Sequence, residues 1–342
     1  MKRGKAKTGS LKNDRHAKVP GGRMGRIVIT GSSGFVARHY LRYLEEKAAP
    51  VEVVGIDIDS PDYTGSDFKY IKLNHKTIDL MNTSHLSDII KEFMPQRILH
   101  LASFSSVAFS WQEPIMSFRN NTNIFLNLLD AVRKVNPEAR ILSVGSSDEY
   151  GAVNEEDLPL REDSPLIPVS PYAVARVSQE LLSKVYANGY GLDIVMTRSF
   201  NHIGTGQKDV FALSSFARQL TEIKKAGLSG GELTVGDVSV VRDFIDIRDV
   251  VEAYNALFER GRKGEVYNVC SGRGKTLNAM IDKMAHILGI DVTLAVSQNL
   301  VRPADNKIVI GSNDKIRRET GWNTRYSLDE SLRDLLAYWM AR

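Results

Sequence analysis

A chain of 342 residues, 42% hydrophobic and 25% charged, has the composition of a soluble globular protein long enough for about two domains. Its one cysteine, Cys270, excludes an intramolecular disulfide framework and a cysteine-rich zinc site, and no run of about 18 apolar residues is available to span a bilayer. The net charge of +4 is uneven: residues 1–23 carry eight basic side chains against Asp14 alone, a net +7, which leaves −3 for the remainder.

Residues 1–23 have almost no apolar content and are expected to be a disordered basic tail, since too little surface can be buried to offset the cost of ordering. Without interleaved aromatics, no nucleic-acid partner is expected. The lone cysteine and the lack of an apolar leader predict a reducing, cytoplasmic setting and no membrane partner.

From Arg26 the pattern changes to short β-branched runs alternating with helical stretches. RIVIT (26–30), VEVVGID (51–57), RILHLA (97–102), RILSVGS (140–146) and LDIVMTRSF (192–200) read as strands buried on both faces. Helical periodicity is clearest over 118–134 and 171–189. Alternation of this kind predicts an α/β fold with a doubly wound parallel sheet over 24–200, with a return segment near 241–262. Residues 201–342 read mainly as a smaller α/β substrate lobe, with strands at GELTV and EVYNVC and helices near 276–288 and 327–340.

The first strand runs into Gly31, Ser32, Ser33, Gly34, Phe35 and Val36, with Ala37 where a third glycine commonly stands. Such a turn lets backbone amides approach a pyrophosphate at the positive end of the following helix. The second strand ends at Asp57, 23 residues past Gly34, where a carboxylate accepts hydrogen bonds from an adenosine ribose and repels a 2′-phosphate. This predicts NAD(H) in preference to NADP(H). Farther on, Ser170 and Pro171 open a helix with good N-cap chemistry, and Tyr172 and Arg176 share one of its faces. A fixed cation beside a phenol makes its proton more available. Ser146 and Asp148 stand at a strand end, where ligands sit in open parallel sheets.

Together with TGSSGFVA, the segments HLAS (100–103), GSSDEYG (145–151), SPYAVAR (170–176), FNHIGTGQ (200–207), VRDFIDIRDV (241–250), YNVCSG (267–272) and RPAD (302–305) make the chain resemble the extended short-chain dehydrogenases/reductases that modify sugar nucleotides. The combination of FNHIGTGQ, VRDF and YNVCSG is most similar to the GDP-4-keto-6-deoxy-D-mannose reductase branch, whose product is GDP-D-rhamnose. The resemblance implies a GDP-linked deoxyhexose substrate and a homodimer; no metal is expected, since no cluster of residues has ligand spacing. The resemblance also implies catalytic roles for Ser146, Tyr172, Arg176 and Asp148. Cofactor contacts would come from Gly31, Ser33, Gly34, Phe35, Val36, Asp57, Asp79, Leu80, Leu101, Ala102, Ser103, Asn121, Tyr172 and Arg176. Substrate contacts would come from Ser105, Ser146, Asn201, Arg242, Arg302 and Asp305, with Arg242 and Arg302 in loop-like settings as a diphosphate clamp.

Two positions depart from the family pattern. Arg176 stands where the signature has lysine, a change from a compact ammonium to a planar fork that never deprotonates. Ile124 and Phe125 replace a small Gly-Thr pair. Three readings therefore stand: a C4 ketoreductase; a 4,6-dehydratase with Asp148 and Glu149 as acid and base, or a 4-epimerase; and a non-catalytic NAD/nucleotide-sugar-binding protein.

Overall fold

The computed structural model describes residues 25–301 and 306–342, so the basic tail and the pair Arg302 and Asp305 lie outside the described residues. Strand β1 (Gly25–Thr30) leads to α1 (Phe35–Glu46), β2 (Val51–Asp57), β3 (Ile71–Thr77), α2 (Thr83–Phe93) and β4 (Arg97–His100). Next come α3 (Val107–Gln112), α4 (Pro114–Phe118), α5 (Ile124–Val135), β5 (Arg140–Ser146), α6 (Pro171–Gly189) and β6 (Asp193–Ser199). The second half holds β7 (Asn201–Ile203), α7 (Ala212–Lys225), β8 (Gly230–Val235), β9 (Val241–Asp246), α8 (Ile247–Arg260) and β10 (Val266–Val269). It continues with β11 (Gly274–Thr276), α9 (Leu277–Leu288), β12 (Asp291–Val296), β13 (Ile308–Val309), α10 (Asp314–Thr320) and α11 (Leu328–Met340).

Seven of these strands form one parallel sheet in the order β10-β6-β5-β4-β1-β2-β3, as the alternating pattern predicts. One apolar cluster, including Tyr40, Leu41, Val250, Tyr254 and Leu257, packs α1 and α8 on one face. Another, including Leu86, Ile90, Phe125, Leu128 and Leu129, packs α2 and α5 on the opposite face. The return to this sheet extends beyond the expected residues 241–262, because β10 pairs with β6. Edge strand β3 has little apolar signal, with Lys72 and Lys76 on it, which is how edges resist further pairing.

The second lobe is organised around α7, α9 and α11, with Leu220, Met280, Ile281, Leu335 and Leu336 in its core. Strand β9 lies at its centre, pairing with β11, β13 and β7. The helix expected over 118–134 is present and starts earlier, at Pro114, with a π turn at Arg119–Asn123 between α4 and α5. Ile124 and Phe125 are buried, and the Phe125 ring centroid lies 4.8 Å from that of His100, so bulk fills the space left by the missing small pair. Among the described residues, no helix is long and apolar enough to cross a membrane.

Candidate active site

The sheet order reverses between β4 and β1, the switch point beyond whose strand ends open parallel sheets hold their ligands in a crevice. Gly31 turns the chain out of β1 with φ of +72°, and a Cβ on it would meet the Ala102 amide nitrogen at 2.7 Å. Only glycine serves both demands. Gly34 is the N-cap of α1 and supplies no side-chain cap, so the first amides of a 12-residue helix face the crevice without a side-chain acceptor. Those amides fit a dinucleotide pyrophosphate. Phe35 and Val36 are half-buried against the first core cluster.

Asp57 is fixed at the end of β2 by three backbone donors: Ser33 N at 2.9 Å, Ile58 N at 2.8 Å and Asp59 N at 3.3 Å. The Ser33 hydroxyl donates to the Asp59 carbonyl at 2.6 Å, tying the glycine turn to the same strand end. Asp79 is exposed and caps the Met81 amide at 2.8 Å, while Leu80 is buried behind it. Leu101, Ala102 and Ser103 follow β4 beside the glycine turn, with the Leu101 and Ala102 amides donating to Thr30.

Helix α6 crosses this edge. Ser170 Oγ accepts from the Ala173 amide at 3.1 Å and Pro171 occupies the first turn, which places Tyr172 at the start of the helix. Arg176, one turn on and buried, donates through Nε to the Tyr172 phenolic oxygen at 3.1 Å and through Nη2 to Ser103 Oγ at 2.8 Å. The chain of neighbours Gly31, Ala102, Ser103, Arg176 and Tyr172 is therefore contiguous. Ser146, at the end of β5, directs its hydroxyl to Asp148 Oδ2 at 3.2 Å, and the turn that follows packs against α6.

Asn121 is fully buried, and its side-chain amide bonds Phe104 N and O at 2.9 and 3.2 Å, which fixes the loop after β4. One expected setting needs correction. Arg242 is not in a loop but on β9, where it is mostly buried and opposite Lys275 of β11. Its neighbour Asp243 accepts instead from Ser271, Gly272 and Gly311. Asn201 lies on the adjacent β7 and donates to the Asp243 carbonyl at 3.3 Å, so Asn201 and Arg242 share one patch of the second lobe. Ser105 is exposed in the loop after β4.

The acid–base pair required of a dehydratase is split. Asp148 is exposed, whereas Glu149 is 1% exposed, turned beneath the strand, and accepts from the Ser146 amide at 2.8 Å. Burial, reinforced by the nearby Glu180 carboxylate, pushes the Glu149 carboxyl well above its usual range. Glu180 is itself buried, but the forked Arg198 guanidinium at 2.8 and 2.9 Å outweighs desolvation and holds it down at about 2. His202 is half-buried with its Nε2 enclosed, and desolvation pushes its imidazole down to about 4.

Sequence reasoning missed Gln179, Glu180 and Ser183. The signal was present: with Tyr172 and Arg176 they form a polar stripe at helical spacing on a face that is buried.

A family model described as GDP-mannose 4,6 dehydratase matches residues 28–335. GDP-6-deoxy-D-mannose reductase of Pseudomonas aeruginosa is 33% identical over 317 residues, 93% of this chain and 98% of that protein. Among solved structures, RMD from Pseudomonas aeruginosa complexed with NADPH superposes with a TM-score of 0.81 at 32% identity, covering 93% of this chain and 99% of that one. The Thermus thermophilus UDP-glucose 4-epimerase in complex with NAD gives 0.80 at 25% identity, over 92% and 98% of the two chains. The glycine turn, the Asp57 strand end and the Tyr172–Arg176 pair thus sit in a chain that matches dinucleotide-binding relatives almost end to end, and the chain belongs to the GDP-mannose 4,6-dehydratase family of extended short-chain dehydrogenases/reductases.

Proposed function

We propose that the protein reduces the C4 keto group of GDP-4-keto-6-deoxy-D-mannose to GDP-D-rhamnose, using NADH in preference to NADPH. The observation that carries this reading is the direction of one hydrogen bond. A guanidinium only donates, so the Tyr172 oxygen accepts from Arg176 Nε and keeps its own O–H to donate elsewhere. A nicotinamide dinucleotide held by the glycine turn and Asp57 would supply the hydride that C4 requires. Tyr172 gives its proton to the developing alkoxide, the Ser146 hydroxyl turns from Asp148 to donate a second hydrogen bond, and Arg176 stabilises the phenolate left behind. Solvent then returns the proton to Tyr172. The separation of Glu149 from Asp148 favours this course over water elimination.

The nucleotide diphosphate is assigned to Asn201 and Arg242 of the second lobe, with Arg302 as the second arginine of the clamp and Asp305 toward the ribose. The NADH preference rests on Asp57: a 2′-phosphate would have to lie beside its carboxylate. A homodimer is proposed through α4 and α6, where Ile115, Val174, Leu181 and Val185 stand exposed, the last three on one face of α6. The fully buried, unpaired Cys270 supports a cytoplasmic setting.

Purified protein incubated with NADH and the keto sugar should oxidise NADH in 1:1 proportion to alcohol formed. Keto product from GDP-mannose with no net cofactor change would show a dehydratase instead. Binding of both ligands without turnover would leave the non-catalytic reading.

A further inference from the structure

The guanidinium of Arg176 is held at three corners. Beyond the Nε bond to Tyr172 and the Nη2 bond to Ser103, Nη1 donates to Gln179 Oε1 at 2.6 Å. Gln179 is 1% exposed and its other end is anchored to β5: Nε2 donates to Ser143 Oγ at 2.9 Å and to the Val144 carbonyl at 3.2 Å. The Val144 carbonyl can only accept, so the NH₂ end of the amide must face it and the carbonyl end must face Arg176. Ser143 is fixed in turn by Ser183 Oγ at 3.2 Å. Helix α6 and strand β5 therefore determine together which way the amide points.

This matters because a guanidinium and an ammonium make different demands. An ammonium rotates its three donors to suit whatever acceptors surround it, whereas the five donors of a guanidinium lie in one rigid plane. Fixing Nη1 fixes where Nε points. A lysine at this position would have no such plane to orient.

We propose that Gln179 is a positioning residue, which sets the plane of the Arg176 guanidinium and so delivers Nε to the Tyr172 oxygen. The inference rests on the proton-donor role given above to Tyr172. Its distinguishing consequence is that Gln179 matters to turnover only while residue 176 is arginine.

The test is a double-mutant cycle. In the natural background, Gln179→Met keeps side-chain length but removes the acceptor, and should lower kcat about 100-fold while the KM for the keto sugar stays within about threefold. In an Arg176→Lys background the same substitution should change kcat by no more than about threefold. Equal losses in both backgrounds, or no loss in the first, would overturn the proposal. Gln179→Glu retains an acceptor for Nη1 and should keep kcat within about fivefold of the natural protein. If the methionine variant does not fold, a loss of about 30-fold or more in the glutamate variant overturns the proposal, and a smaller loss upholds it. A readout independent of turnover is the Arg176 Nε–H resonance, identified by its disappearance in Arg176→Lys. It should exchange slowly with water in the ligand-free protein and quickly in Gln179→Met, and unchanged exchange would count against the proposal. Tyr172→Phe separates the two claims. Full activity there removes the proton-donor reading whatever Gln179 does, whereas loss there with a silent Gln179→Met removes positioning alone.

Discussion

Arg176 Nε lies 3.1 Å from the phenolic oxygen of Tyr172, one turn earlier on the same helix, and the guanidinium carbon stands 5.3 Å from the centroid of that same tyrosine's ring. Both the oxygen and the ring face thus feel the cation, although only the oxygen accepts from it. The arrangement leaves the O–H of the buried phenol to donate elsewhere. Tyr172→Phe should reduce kcat by about 10²- to 10⁴-fold, the range for loss of a general acid. NADH affinity, followed by the quenching or transfer of nicotinamide fluorescence, should change little.

Asp57 tests cofactor choice. Asp57→Asn retains one oxygen to accept from the backbone amides of Ser33, Ile58 or Asp59 but removes the negative charge. The ratio of kcat/KM for NADH over NADPH should fall by about tenfold or more, since one charge repulsion near the protein surface is worth a few kcal/mol. An unchanged ratio would place the 2′ position away from this strand end.

Stability should decline in mild acid because two histidines, the buried His100 and the half-buried His202, are held neutral by desolvation. Burial pushes His202 down to about 4; burial, aided by the Arg176 charge, pushes His100 down to about 3. Among the described residues, neither Nε2 has a hydrogen-bond partner. The unfolded chain takes up these protons near pH 6.5, so their contribution is complete above that pH and falls on acidification. Each histidine should cost about 1.4 kcal/mol per pH unit below 6.5, ending near pH 4 for His202 and near pH 3 for His100. Urea unfolding at stepped pH should show a shallower slope for His202→Asn than for the natural chain. Glu180, held at about 2 by Arg198, should add its own loss only below pH 4.5.

Leu181 is 53% exposed and Val185 58% exposed on one face of α6. Charging both, as in Leu181→Glu with Val185→Glu, should convert the proposed dimer to monomer in sedimentation velocity while far-ultraviolet circular dichroism stays unchanged. A natural chain that sediments as a monomer would refute the homodimer.

The polar stripe on α6 shows where the residues spoke and where they did not. Spacing alone put Tyr172 and Arg176 on one face, because a helix repeats every 3.6 residues whatever surrounds it. The same local rules placed the glycine turn after β1 and Asp57 at the end of β2, since both follow from a strand that ends and a backbone that must turn. Likewise, the parallel sheet was legible from near-continuous apolar runs separated by helical ones.

Other assignments needed the fold. Glu149 adjoins Asp148 in the chain, yet one is buried beneath β5 and the other is exposed, because the strand's end turns successive side chains apart. Asn121 matched a family position, and only the fold shows its amide bonded to Phe104. Arg242 read as a loop residue, and its place on β9 depends on pairing with β7, β11 and β13, which arrive from up to 67 residues away and leave no local periodicity. Local sequence thus determined which chemical groups this protein owns and, for Tyr172, Arg176, Asp57 and the glycine turn, the element that bears them. Which groups meet was decided only in three dimensions, because hydrogen-bond partners such as Gln179 and Val144, 35 residues apart, are selected by the packing of a helix on a sheet and not by their neighbours along the chain.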